Sequence, residues 1–133
     1  EARVPRGYLI PAELGFLADK LRAHGVKIET LAKPVKAAGE EFVVDRIGQG
    51  RSGGYSMIKL DGAFAPSPVK EFPAGTFRVD LAQPLANVAF YFLEPQAADG
   101  FAGWGVLDEY FKAAGADKRS VVYPVYKYFK ILE

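Results

Sequence analysis

The stretch Gly7-Tyr8-Leu9-Ile10-Pro11-Ala12-Glu13-Leu14-Gly15-Phe16-Leu17-Ala18-Asp19-Lys20-Leu21-Arg22-Ala23-His24-Gly25-Val26-Lys27-Ile28-Glu29-Thr30-Leu31 decides the fold class. Tyr8-Leu9-Ile10 is a short apolar strand. Pro11 suits the first position of a helix, where a missing N–H costs nothing. Leu14, Leu17, Ala18 and Leu21 then recur at helical spacing. Lys20 and Arg22 fall near the helix end, and His24-Gly25 closes it, because glycine turns left-handed without strain. Residues 26–31 alternate apolar and polar, as a half-buried strand does. Strand, helix, strand in succession is a βαβ pattern, normally a right-handed parallel crossover.

Outward from there the pattern changes. Residues 41–47, 55–60 and 76–81 read as strands, and glycine, serine and proline clusters at 48–54 and 66–68 separate them. This is antiparallel material with hairpin-like connections. Pro84 opens a second helix, in which Leu85, Val88, Ala89 and Phe92 form an apolar stripe, with Pro95 beyond its end. Residues 104–112 suit a short helix, with Leu107 and Phe111 four apart, and residues 121–131 a last strand. The fold expected is α+β: one βαβ-like unit, then mainly antiparallel strands with two further helices, around a single sheet-based core. No repeat or linker divides residues 1–133, so one domain is expected.

Composition narrows the chemistry. Half of the 133 residues are hydrophobic, enough for a core, and the formal charge of +1 gives no footprint for a nucleic-acid partner. The chain has no cysteine, so disulfides, thiolate metal sites and cysteine nucleophiles are excluded. The longest apolar run, 88–93, is far too short to span a membrane as a helix. Glu1-Ala2-Arg3-Val4-Pro5 carries no signal-peptide pattern and reads as an internal cut in a longer protein.

Each candidate site has a structural reading beside the functional one. His24 is the one histidine. No carboxylate stands at a ligand spacing from it in the same helix, so a helix-end residue favoured by the dipole is the simpler reading. Gly48-Gln49-Gly50-Arg51-Ser52-Gly53 matches G-x-G-x-x-G. A dinucleotide site needs a helix next, whereas Tyr55-Ser56-Met57-Ile58 reads as a strand, so a hairpin loop fits better. Glu40-Glu41 and Asp108-Glu109 are acidic neighbours, and sequence neighbours rarely face each other across a cleft. Tyr126, Tyr128 and Lys130 share one face of the last strand, with Val125, Lys127 and Phe129 on the other. Trp104, Tyr126 and Tyr128 are the candidate ligand or partner surface, set against packing as the alternative. No catalytic, cofactor-binding or metal-ligating residue is assigned.

A resemblance adds to this. Gly75-Thr76-Phe77-Arg78-Val79-Asp80-Leu81-Ala82-Gln83-Pro84-Leu85, running through an apolar segment to Leu93-Glu94-Pro95, resembles a segment near the C-terminus of bacterial zinc carboxypeptidases of the carboxypeptidase A-like family. Asp99-Gly100 with Trp104 and Asp108 is similar to that family's D-G…W-N-x-x-D run, with Gly105 where the asparagine usually stands. Tyr123-Pro124-Val125-Tyr126 resembles its closing Y-P-V-Y, and Gly7-Tyr8-Leu9-Ile10-Pro11 with His24-Gly25-Val26 the start of the same region. The match is weak over 33–72. On its own physics the quoted segment is capping and packing: Gln83 can cap the helix that Pro84 starts.

The resemblance implies a non-catalytic C-terminal accessory domain of a secreted or periplasmic peptidase. Zinc and its His-x-x-Glu ligands would lie in a separate catalytic domain of the same parent chain, and no His-x-x-Glu occurs here. The partner implied is that catalytic domain, with a peptide or glycan as candidate ligand. The alternatives are a free-standing glycan- or peptide-binding module and an enzyme using acid–base carboxylates without a cofactor.

These residue types predict that the purified chain binds no stoichiometric zinc and hydrolyses no peptide. Elemental analysis returning one tightly held zinc per chain, lost in His24→Ala, would overturn that expectation.

Overall fold

A computed structural model describes residues 5–52, 55–95, 107–115 and 119–132. The elements are β1 (Gly7–Ile10), a 3-10 turn (Ala12–Leu14), α1 (Gly15–Ala23), β2 (Glu29–Thr30), β3 (Val35–Ser52), β4 (Tyr55–Phe72), β5 (Phe77–Asp80), α2 (Ala86–Leu93), α3 (Asp108–Ala114), β6 (Val121–Val122) and β7 (Tyr126–Leu132). The strands form one antiparallel sheet in the order β2-β5-β1-β7-β3-β4, with β6 also pairing β3. This is the α+β class expected from the sequence. Two compact units are distinguished, and β3 and β4 contribute to both.

The first unit holds the described residues up to Glu41, Pro66–Phe90 and those from Pro124 onward. Every residue of β1 is buried, so both sheet faces are covered there. Leu9, Ala37, Tyr126 and Tyr128 form a buried cluster, with Phe72 and Ile131 against it. On α1 the buried residues are Leu17, Ala18 and Leu21, and Leu14 just ahead of it is buried too, as their spacing predicts. His24 closes α1, its Nδ1 2.9 Å from the Lys20 carbonyl, and Gly25 follows at φ +91°.

The opening unit is a split version of the expected crossover. β1 and β2 both pair antiparallel with β5. They therefore run parallel to each other with β5 between them. β2 is also shorter than the six residues its alternation suggested. The register Glu29↔Arg78, Thr30↔Phe77 would continue to Lys27 opposite Asp80. The Gln83 side chain intervenes. Its Oε1 accepts from the Lys27 N–H at 2.8 Å, and its Nε2 lies 3.0 Å from the Lys27 carbonyl and 2.6 Å from the Asp80 carbonyl. Backbone polar groups must be paired, and here one side-chain amide does what a strand would have done. Gln83 thus spends its side chain on Lys27 and Asp80, not on capping α2. Only its backbone carbonyl serves the helix, accepting from the Ala86 N–H at 3.2 Å.

Two glycines flank Tyr128 in register, Gly7 on β1 and Gly39 on β3. A Cβ on Gly7 would collide with the Tyr128 ring and hydroxyl, and one on Gly39 with the Lys127 carbonyl. The register also shifts between Ala38 and Gly39, as a bulge requires.

The second unit comprises the described residues within Phe42–Ala65 and Tyr91–Tyr123. Val43 and Val44 of β3 pair with Val122 and Val121 of β6. Phe42 meets Phe64 edge-on at 5.0 Å between centroids and Tyr123 at 6.3 Å, and Phe111 of α3 stacks on Tyr123 at 6.4 Å. The buried Tyr123 hydroxyl donates to the Leu93 carbonyl at 2.8 Å. Gly115 ends α3 in the left-handed region at φ +76°.

Several expectations are corrected. The prolines at 66 and 68 do not separate strands, because β4 runs through them to Phe72. β4 ends the strand order, and an edge strand is where proline is tolerated. The glycine stretch is largely strand: β3 extends to Ser52 and β4 resumes at Tyr55, with 53–54 outside the described residues. The last strand is broken at 123–125, which include Pro124, into β6 and β7. α3 runs from Asp108 to Ala114, and 104–106 of the expected helix lie outside the described residues. On α2 the buried residues are Ala89 and Leu93, whereas Leu85 is exposed and Val88 and Phe92 are half-buried. Residues 86, 89, 90 and 93 form a second stripe at helical spacing. An almost wholly apolar helix offers both, so its sequence alone could not orient it.

Two outcomes follow from this packing. Leu93→Ala costs ~2–5 kcal/mol, the range for truncating a fully buried leucine, more than Phe92→Ala. His24→Ala at the exposed helix end costs no more than ~1 kcal/mol. Urea melts of the three variants check the ranking, and Phe92→Ala outranking Leu93→Ala would restore the original stripe. Burial of Tyr123 raises its hydroxyl pKa above the ordinary 10.0, with nearby Glu94 adding to the effect. Folding therefore favours the neutral phenol: its contribution is complete below pH 10 and is lost as pH climbs above it. Urea melts at pH 8 and pH 11 should show a smaller alkaline loss in Tyr123→Phe than in the unaltered chain. Equal losses would contradict the assignment.

Candidate functional site

The best-defined polar site lies where β5 ends and Gln83 holds β2 away from it. Arg78 and Asp80 alternate on β5, so both side chains emerge on one face. Glu29 stands opposite Arg78 on β2, and Gly7 opposite Asp80 on β1. Because Gly7 has no side chain, Tyr128 lies across it from the next strand and reaches the pair. The Arg78 Nε donates to the Tyr128 hydroxyl at 3.1 Å and its Nη2 to Asp80 Oδ2 at 3.2 Å. The guanidinium carbon sits 5.5 Å from the Tyr128 ring centroid, within cation–π range. The Tyr128 hydroxyl in turn donates to Asp80 Oδ2 at 3.4 Å. The other Asp80 oxygen accepts from the Ala82 N–H at 2.7 Å, which turns the chain out of β5.

A cavity of about 380 Å³ opens at this point, walled by Lys27, Glu29, Arg78, Asp80 and Gln83. Across the shared Asp80 and Ala82 wall lies a second cavity of about 440 Å³, with Arg6, Leu81, Asn87 and Phe90 in its lining. The charges of the first cavity balance, two cations against two anions. The Glu29 carboxylate is 3.7 Å from Arg78 Nη1, too far for a hydrogen bond, and its side chain is 65% exposed. Such a pair contributes ~0–1 kcal/mol. The Tyr128 hydrogen bond raises the Arg78 pKa, opposed by partial burial, so the guanidinium stays charged. Burial pushes the Tyr128 hydroxyl up, and Arg78 partly offsets that. The arrangement is built to hold and orient charged groups; its lining pairs no nucleophile with a base.

Of the described residues singled out from sequence, Tyr128 alone reaches this site. His24 is exposed, and its ring nitrogen faces its own helix. Glu41 bonds Lys70 at 3.2 Å, while Glu40 stands in register opposite Lys127, so the acidic neighbours point to different faces. Glu109 is exposed, and the side chain of Asp108 and all of Trp104 lie outside the described residues. Tyr126 and Tyr128 are 4% and 0% exposed, so they pack in the core and present no ring face. Tyr128 enters the site through its hydroxyl and through the ring on which the Arg78 guanidinium lies. Lys127, beside them, is also buried at 2% exposure, further than a stem laid along a surface. Among the described residues no group of three or more His, Asp or Glu could hold a metal ion. Sequence reasoning missed Arg78, Asp80, Glu29 and Gln83. The available signal was Arg-x-Asp on a strand, which puts opposite charges on one face next to a core.

No protein-family model matches the chain, and no solved structure matches it. Curated relatives do. Carboxypeptidase 2 of Trichophyton tonsurans is 29% identical over 105 residues, which is 77% of this chain and 19% of the relative. Carboxypeptidase 2 of Trichophyton equinum matches to the same extent. The chain therefore spans about a fifth of the length of the curated relatives it matches, and is similar to one part of a carboxypeptidase.

Proposed function

We propose that this chain is a non-catalytic accessory domain of a secreted or periplasmic zinc-carboxypeptidase-like protein, where it supports the catalytic domain or helps present substrate. The observation that carries the reading is the asymmetry of the match: 77% of this chain answers to 19% of a carboxypeptidase. The chemistry of the chain agrees with a supporting role. The residues gathered around Arg78 are recognition groups, and the sequence holds a single histidine and no His-x-x-Glu. Zinc and the general base would then belong to the catalytic domain, which is the partner this reading implies. Among the described residues no helix is long and apolar enough to cross a membrane.

The reading is tested by sequencing the reading frame on both sides of the coding segment. A continuous upstream frame carrying His-x-x-Glu is the expected result. A stop codon immediately upstream, or a long frame with no such motif, would overturn it.

A further inference from the structure

We propose that the Arg78 cavity is a carboxylate-recognition site in which Glu29 is a displaceable stand-in, and that its ligand is the C-terminal carboxylate of a peptide. The guanidinium is fixed from one side. Its Nε is engaged by Tyr128 at 3.1 Å and its Nη2 by Asp80 at 3.2 Å, while the Tyr128 ring lies 5.5 Å from its centre. Those contacts set the plane of the fork. Its Nη1 end reaches the cavity, where the Glu29 carboxylate stands at 3.7 Å with most of its side chain in water. An arginine fork matches a carboxylate with two parallel hydrogen bonds, a geometry Glu29 does not reach.

The rest of the lining fits a peptide end. With Glu29 swung aside, Lys27 and Arg78 oppose Asp80 alone, so the cavity changes from neutral to a net charge of one positive. Ile28 adds apolar surface, and the volume of about 380 Å³ falls within the range of small-ligand pockets. Gln83 keeps this space open, because its amide occupies the point where Lys27 and Asp80 would otherwise have closed into a ladder. The inference deepens the substrate-presentation half of the proposed function and rests on it only for the identity of the carboxylate bearer.

The test is a titration of the 133-residue chain followed by backbone amide NMR. The probes are N-acetyl-Ala-Leu as the free acid, N-acetyl-Ala-Leu-amide, and N-acetyl-glutamic acid amide. The free acid should shift resonances of residues 27–29 and 78–83 with a dissociation constant on the order of 1 mM, and the amide should shift none of them. Glu29→Gln removes the stand-in and should tighten the acid by about two- to fivefold, the value of one exposed ion pair. Arg78 also positions Tyr128, so removing it confounds binding with folding, whereas Glu29→Gln leaves the core untouched. Equal binding of acid and amide, or no shifts with either the unaltered chain or Glu29→Gln, would overturn the proposal. Binding of the glutamic acid amide without the free-acid peptide would overturn the terminal carboxylate as the source. A reading frame without a catalytic segment leaves the titration unaffected, so the two readings fail separately.

Discussion

Tyr128 stretched across Gly7 is the contact on which the rest of the first unit depends. A single strand position is asked to fill the core, cover a backbone with no side chain of its own, and deliver a hydroxyl to a charged pair. It can do all three only because Gly7 yields its space to the ring and hydroxyl, while Gly39 makes room for the backbone at Lys127 and Tyr128. The ring replaces the packing Gly7 forgoes, and the hydroxyl gives Arg78 and Asp80 a polar partner. A half-buried charge pair without such a third group would face the desolvation penalty that usually makes buried ion pairs unprofitable. The polar site is thus supported by the core, and the core is shaped by the site.

How far this was legible from the sequence differs by element. β1, the buried stripe of α1 and its His24-Gly25 end could be read directly, because each is a local pattern with a local cause. α2 could not be oriented, because Val88, Ala89, Phe92 and Leu93 satisfy two stripes and only the surrounding packing selects between them. β2 was over-read, because alternation reports which residues are half-buried and not which backbone groups find strand partners. The group that cut it short, Gln83, lies 56 residues away in sequence. Pro66 and Pro68 break a central strand but not the last strand in the order, and the sequence does not say which strand is at the edge.

The candidate site was nearly invisible for a related reason. Rare residues and adjacent acids stand out in the sequence: the lone histidine, Glu40-Glu41 and the aromatic tail. The groups that assemble come from β2, β5, β7 and the turn after β5, and none is unusual by itself. Register, not composition, gathers them. The tail tyrosines did matter, but as buried struts: Tyr128 offers its hydroxyl and ring to Arg78, and the Tyr126 ring lies under Lys70.

The split of the opening unit has a kinetic side. β1 is flanked by β5 and β7, so the first strand of the sheet finds its neighbours only in residues 77–80 and 126–132. β2 likewise waits for β5. Nothing made during the synthesis of β1, α1 and β2 can pair those strands with one another. Loop closure over such separations carries an entropy cost that contacts reward only afterwards. α1 can form early from local bonds, but the sheet it covers cannot close until the last strand has left the ribosome. One edge of β1 can meet β5 once residues 77–80 are made, and its other edge stays open until the seven-residue β7 completes the sheet around it.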